Sequence, residues 1–190
     1  MTTSETRAAG AAHAHAHGLD PCDDLPERAG PRPRTTPTNP QYQLEQVLES
    51  PLSDALFERL ADLERVELRE SLRSPPGTIG FFLADADGTP EEAFLLGTEF
   101  AHVHVTEEHG LHLICPEPAR ASAIARGWIE PHPLAGRPTV SALTVLAYAP
   151  RDPAELDVIE RLVRLAHRHA LGAGGAGREA DVATGETTRA

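Results

Sequence analysis

The richest chemistry in this sequence lies in one short run, Phe100-Ala-His-Val-His-Val-Thr-Glu-Glu-His-Gly-Leu-His-Leu-Ile-Cys115. Histidine titrates nearest to working pH, and its neutral ring is a common ligand of transition metals. His102, His104 and His112 therefore offer acid–base chemistry or metal ligation, provided the fold brings them together. Downstream, His132 sits between Pro131 and Pro133. Those prolines restrict it and its predecessor to extended conformations and so fix where the ring points. The only tryptophan, Trp128, precedes it and suits either the wall of an aromatic pocket or a core anchor. Tyr148 and Arg151 end a later apolar segment, where Arg151 suits an oxyanion or, more plainly, a nearby carboxylate. With Glu99 they complete the candidate substrate contacts.

Strand alternation decides whether the histidines meet. Successive side chains of a strand point to opposite faces. Ala101, Val103 and Val105 share one face of a first arm, with Phe100, His102 and His104 on the other. On a second arm Leu111, Leu113 and Cys115 oppose His112 and Ile114. Any hairpin register that joins the apolar faces also joins the three histidines, because only a one-residue slip flips a strand. A short loop ending at Gly110, with glycine supplying positive φ, would set His104 opposite His112 and His102 opposite Ile114. Directly opposed Cβ atoms lie ~5 Å apart, within reach for imidazoles. By the same parity Glu99 faces away from the histidines unless a bulge intervenes.

Several elements must hold this hairpin. Ser50-Pro51 reads as a helix start, and Leu52, Leu56, Leu60 and Leu63 recur at helical spacing to about Glu64. Strand candidates follow at Val66–Leu68, Thr78–Ala84 and Ala93–Gly97, separated by Pro75-Pro76-Gly77 and Asp87-Gly88. After the hairpin come a helix from about Pro116 to Arg126 and a strand at Ala142–Tyr148. A last helix is announced by Asp152 at its cap, Pro153 at N1 and Glu155 at N3. Leu156, Ile159, Val163 and Ala166 give it one apolar face. The sum is an α+β domain, a mostly antiparallel sheet with about three helices packed on it. It is expected to span residues 48–170, between tails at 1–47 and 171–190 whose composition cannot bury enough surface to order them. The first tail carries His13, His15 and His17 in alternation with alanine, a repeat that chelates metal loosely at most.

Composition excludes several classes. All 17 basic residues are arginine, and without lysine there is no Schiff-base or P-loop lysine. Net charge is −12 with no basic stripe, which argues against nucleic acid or an anionic membrane as partner. Cys22 and Cys115 lie in contexts too different to expect a disulfide. No apolar run approaches the ~18 residues of a membrane span, and no signal peptide is visible. The expected location is the cytoplasm.

Five motifs in one order carry a family resemblance. Glu99-Phe-Ala-His-Val-His104, Leu111-His-Leu113, Gly127-Trp128, His132-Pro-Leu-Ala-Gly136 and Tyr148-Ala-Pro-Arg151 together resemble the luciferase-like domain family over about Glu99–Ala166. The resemblance implies oxidation of a small molecule by molecular oxygen without a cofactor, as the fungal luciferases of that family oxidise a hydroxylated pyrone. The sequence departs from the fungal pattern at Thr98, where that pattern has arginine, and in a shorter stretch between Gly136 and Tyr148. The pocket is therefore expected to carry over, and the fungal luciferin reaction is not.

Three functions follow as expectations. In the first, a cofactor-independent oxygenase, His104 or His112 removes an enol or phenol proton, Arg151 holds the oxyanion and Trp128 walls the ring. In the alternative, three or four of His102, His104, His112 and His132 bind a transition metal, with Glu99 as a further candidate ligand. In the third, the pocket binds a ligand without turnover, or the histidines belong to a structural core and merely satisfy backbone partners. The reading settles on a small-molecule substrate, no metal and no cofactor.

Overall fold

The computed structural model describes residues 24–48, 52–106 and 108–172. His13, His15, His17, Cys22, Ser50 and Pro51 lie outside the described residues. Helix α1 (Ser53–Arg59) is followed by strands β1 (Val66–Glu70) and β2 (Ile79–Leu83), a 3-10 turn at Glu91–Ala93, and strands β3 (Glu99–Val103) and β4 (Leu111–Ile114). Helix α2 (Ala119–Ala125), strands β5 (Ile129–Pro131) and β6 (Thr144–Ala147), and helix α3 (Pro153–Ala170) complete the order. The six strands form one antiparallel sheet in the order β1-β2-β3-β4-β6-β5. The fold is α+β, as expected.

One face of the sheet builds the main core. Phe81, Ala101, Val103, Leu111, Leu113, Ile129, Val145 and Ala147 meet Leu156, Ile159, Leu162, Val163 and Ala166 of α3 and Leu56 of α1. Helix α3 starts as its sequence requires: Asp152 Oδ1 accepts the Glu155 amide at 2.8 Å. Glu155 then reaches back to the Arg151 amide at 2.9 Å, one residue before the cap itself.

Two segments differ from the expected strand pattern. Ala93–Gly97 is not a strand. The 3-10 turn and a tight reversal at Gly97, where φ is +60° and Glu99 N–H bonds to Leu96 C=O, bury Phe94 and Leu95 without a partner strand. Ile129–Pro131 is a strand the sequence hid, short and ended by proline at the sheet edge, where a missing donor is tolerated. Helix α1 also stops at Arg59 rather than near Glu64, and residues 60–63 continue as a turn.

The N-terminal segment departs further from expectation. Residues 24–48 pack onto the domain instead of forming part of a tail. Leu25 is 1% exposed in the core, and Trp128 Nε1 donates to Pro26 C=O at 2.6 Å. Arg28 is buried near Glu155, with its guanidinium over the Tyr148 ring. Residues 39–43 then pass over the second face of the sheet, where the histidines lie.

Candidate active site

Strands β3 and β4 are the two central strands, and His102 pairs directly with His112 across them. The register differs by two residues from the expected one. β3 ends at Val103, and His104 already belongs to the turn, its N–H bonded to Gly110 C=O at 3.0 Å. A shift of two preserves the faces, so the three histidines still converge. Ring centroids lie 5.1 Å apart for His102 and His112, 5.3 Å for His102 and His104, and 5.0 Å for His104 and His112. One ring nitrogen of each lies within 4.8 Å of the others. The positive φ of the turn falls on His109, at 60°. Gly110 sits in a tight space instead: a Cβ there would stand 3.1 Å from Glu108 Oε1 and 3.4 Å from Leu146.

The bulge that parity demanded for Glu99 is present. Phe81 pairs with Ala101 but Phe82 with Glu99, so Phe100 is the extra residue of β3. Phe100 is thereby turned into the main core, not onto the histidine face as strict alternation would have it. Glu99 is turned under His102, its Oε1 2.7 Å from Nδ1. Ser71 Oγ and the Leu72 amide donate to the same carboxylate at 2.7 and 3.1 Å. Glu99 therefore stands behind His102 and does not line the cleft.

The other two rings have partners of their own. Glu108 Oε1 lies 2.7 Å from His104 Nδ1 and accepts the Gln43 amide at 3.3 Å. Gln41 Oε1 lies 3.3 Å from His112 Nε2. Gln41 is itself fixed by Glu130, which accepts its amide N–H at 2.6 Å, the Thr35 hydroxyl at 2.6 Å and the Tyr148 hydroxyl at 2.9 Å. Ser74 Oγ lies 2.8 Å from His102 Nε2. Sequence reasoning passed over Glu108, Gln41 and Ser74. Glu108 stood inside the histidine run and read as a turn residue, and Gln41 fell in the supposed tail.

Above the rings opens a cleft of about 310 Å³, lined by the four histidines, Tyr42, Arg73, Arg137 and Leu134 among others. Tyr42 meets His104 edge-on at 5.3 Å. His132 is half-buried at the rim, 5.1 Å from His112, with its Nδ1 accepting the Leu134 amide at 3.1 Å. A backbone N–H only donates, so the neutral ring carries its proton on Nε2. Burial, followed by the neighbouring histidines, holds His112 well below the ordinary histidine pKa. Burial also lowers His102, against the pull of Glu99, and lowers His132, helped there by Arg73. These three rings are neutral near pH 7.

Three expected substrate contacts lie elsewhere. Trp128 is 3% exposed within the main core, so it anchors the fold and is not among the cleft residues. Arg151 is engaged by Glu155, Gln46 and the Ala29 carbonyl, the plain carboxylate pairing, and is not among the cleft residues. Tyr148 is buried and is linked to the histidines through Glu130 and Gln41. Two arginines do line the cleft, Arg73 and Arg137. Among the described residues, no helix is long and apolar enough to cross a membrane.

Comparison with known proteins agrees with the motif order. The luciferase of Armillaria ostoyae is 32% identical over 158 residues, and that of Armillaria gallica 29% over 160 residues. Each alignment covers 74% of this chain and 59% of the relative, so the chain spans somewhat over half the length of these proteins. No solved structure gives a significant match. Residues 97–166, which hold β3, β4, the bulged Glu99 and all four cleft histidines, match the luciferase domain family, and the chain carries a luciferase-like domain.

Proposed function

We propose that the histidine-lined cleft binds a small enolisable or phenolic molecule as its anion and exposes it to oxidation by molecular oxygen. The observation that carries this reading is the cleft itself, a space of about 310 Å³ with imidazoles as its floor and Arg73, Arg137 and His132 at its edge. That volume suits a molecule of one or two rings. The guanidinium charges and the His132 Nε2–H favour a bound oxyanion over the neutral acid. The luciferase relatives support oxygen as the second reactant, because light emission requires the energy of an oxidation.

A simple hydroxypyrone is the probe. Calorimetric titration is expected to show one site, and His132→Ala and Arg137→Ala are each expected to weaken it at least tenfold. An oxygen electrode then reads uptake dependent on the protein. Binding unaffected by both substitutions would place the ligand elsewhere and end the proposal.

A further inference from the structure

We propose that His102, His104 and His112 hold a divalent first-row transition-metal ion, with its fourth position open to the cleft. This deepens the function proposed above and rests on the same cleft being the working site.

Proton positions point to an ion. A carboxylate only accepts, so His102 Nδ1 and His104 Nδ1, each 2.7 Å from a buried carboxylate oxygen, carry the protons of their rings. In the neutral form of either ring, with Nδ1 protonated, Nε2 is a lone pair. His112 is settled from the other side. Gln41 gives its amide N–H to Glu130 at 2.6 Å and so turns Oε1 toward His112 Nε2, 3.3 Å away. That puts the proton on Nε2 and leaves Nδ1 bare. His112 Nδ1 and His102 Nε2 then face one another at 3.1 Å, two lone pairs without a proton between them. The Ser74 hydroxyl at 2.8 Å can donate to His102 alone.

A cation resolves this. Tetrahedral Zn²⁺ holds imidazole nitrogens at about 2.0–2.1 Å, which sets two of them roughly 3.3 Å apart. The observed pair is already near that spacing, and the third ring is within 4.8 Å. Each ligand has an outer partner, Glu99, Glu108 or Gln41, the arrangement that orients ligating histidines and fixes their tautomers. His132 drops out of the set, because its Nδ1 is taken by the Leu134 amide and its Nε2 bears the proton. Glu99 supports a ligand without being one.

Charge gives a second argument. Glu99 and Glu108 are 0% and 5% exposed and pair with His102 and His104, and neither carboxylate is bridged to an arginine among the described residues. Glu108 Oε2 is buried without a hydrogen-bond partner. A charge buried this deeply is costly unless a compensating charge lies close by. A divalent ion at the centre supplies it. Three protein ligands and an open position are the hallmark of a reactive rather than a structural site.

The test uses the full chain, free of any tag, with His13, His15 and His17 replaced by alanine so that the tail cannot bind metal. After chelation it is titrated with Zn²⁺, and far-UV circular dichroism confirms folding. One equivalent is expected, lost in His102→Ala and His112→Ala, retained in His132→Ala and weakened about 10–100-fold in Glu108→Gln. No uptake by the folded protein, or undiminished uptake in a folded His112→Ala variant, overturns the proposal. If His112→Ala does not fold, Glu108→Gln decides: unchanged affinity overturns it and weakened affinity upholds it. Zn²⁺ is measured with no organic ligand present, so a negative result leaves the hydroxypyrone titration to judge the cleft separately.

Discussion

Gly80 is what lets Glu99 stand beneath His102. It pairs with His102 across β2 and β3, and a Cβ there would lie 2.7 Å from the Phe82 ring and 3.2 Å from Glu99 Oε1. Phe82 cannot retreat easily: it is fully buried, with the Arg69 guanidinium 3.9 Å over its ring. Gly80→Ala is expected to cost roughly 1–3 kcal/mol in urea unfolding. It should also weaken Zn²⁺ uptake by displacing the Glu99 carboxylate. A variant as stable as wild type would show that the close contact relaxes freely. The residue scale also shows what alternation can reveal. His102, His104 and His112 were legible as one cluster because a strand has a period of two, and an error of two in register leaves the faces intact. The bulge at Phe100 has no such signature. It flips parity by inserting one residue, so Glu99 and Phe100 each exchanged faces relative to the simple pattern.

At the scale of elements, the segment 24–48 was least legible, for a physical reason. It has prolines and no hydrophobic period, and it contributes one side chain, Leu25, to the main core. Its attachment depends on specific polar contacts: Trp128 to Pro26, Gln43 Oε1 to the Ala149 amide at 2.9 Å, and Gln41 to Glu130. Such contacts have no periodic trace in a sequence. By contrast α3 was plain, because Asp152, Pro153 and Glu155 mark its start and one apolar stripe continues for its length. Leu25→Ala separates the two views of the segment. A tail residue would cost nothing, whereas a buried leucine is expected to cost about 2–5 kcal/mol through lost burial and a cavity. Chemical denaturation of that single variant measures it, and a change below ~0.5 kcal/mol would return the segment to the periphery.

At the scale of the whole molecule, α3 closes one face of the sheet, and the pH response of that closure is carried partly by His167. It is 5% exposed, packs against Phe100 with ring centroids 5.6 Å apart, and donates from Nε2 to Glu64 C=O at 3.0 Å. This joins α3 to the turn after α1. Burial lowers its pKa; the Glu64 carbonyl and carboxylate oppose that shift, and Arg168 and Arg164 add to it. The folded state therefore prefers the neutral ring. Above the unfolded value of about 6.5 both states are neutral and the stability contribution is complete. As pH falls below about 6.5 the unfolded chain takes up the proton first, and stability declines until the folded ring also titrates at its lower pKa. His167→Gln keeps a donor for the Glu64 carbonyl and removes the titration. Urea unfolding at about pH 7.5 and about pH 5.5 should show wild type losing more stability than the variant between them. The cleft histidines are present in both proteins and cancel in that difference. Equal losses would mean that the α3 closure is indifferent to the charge of His167.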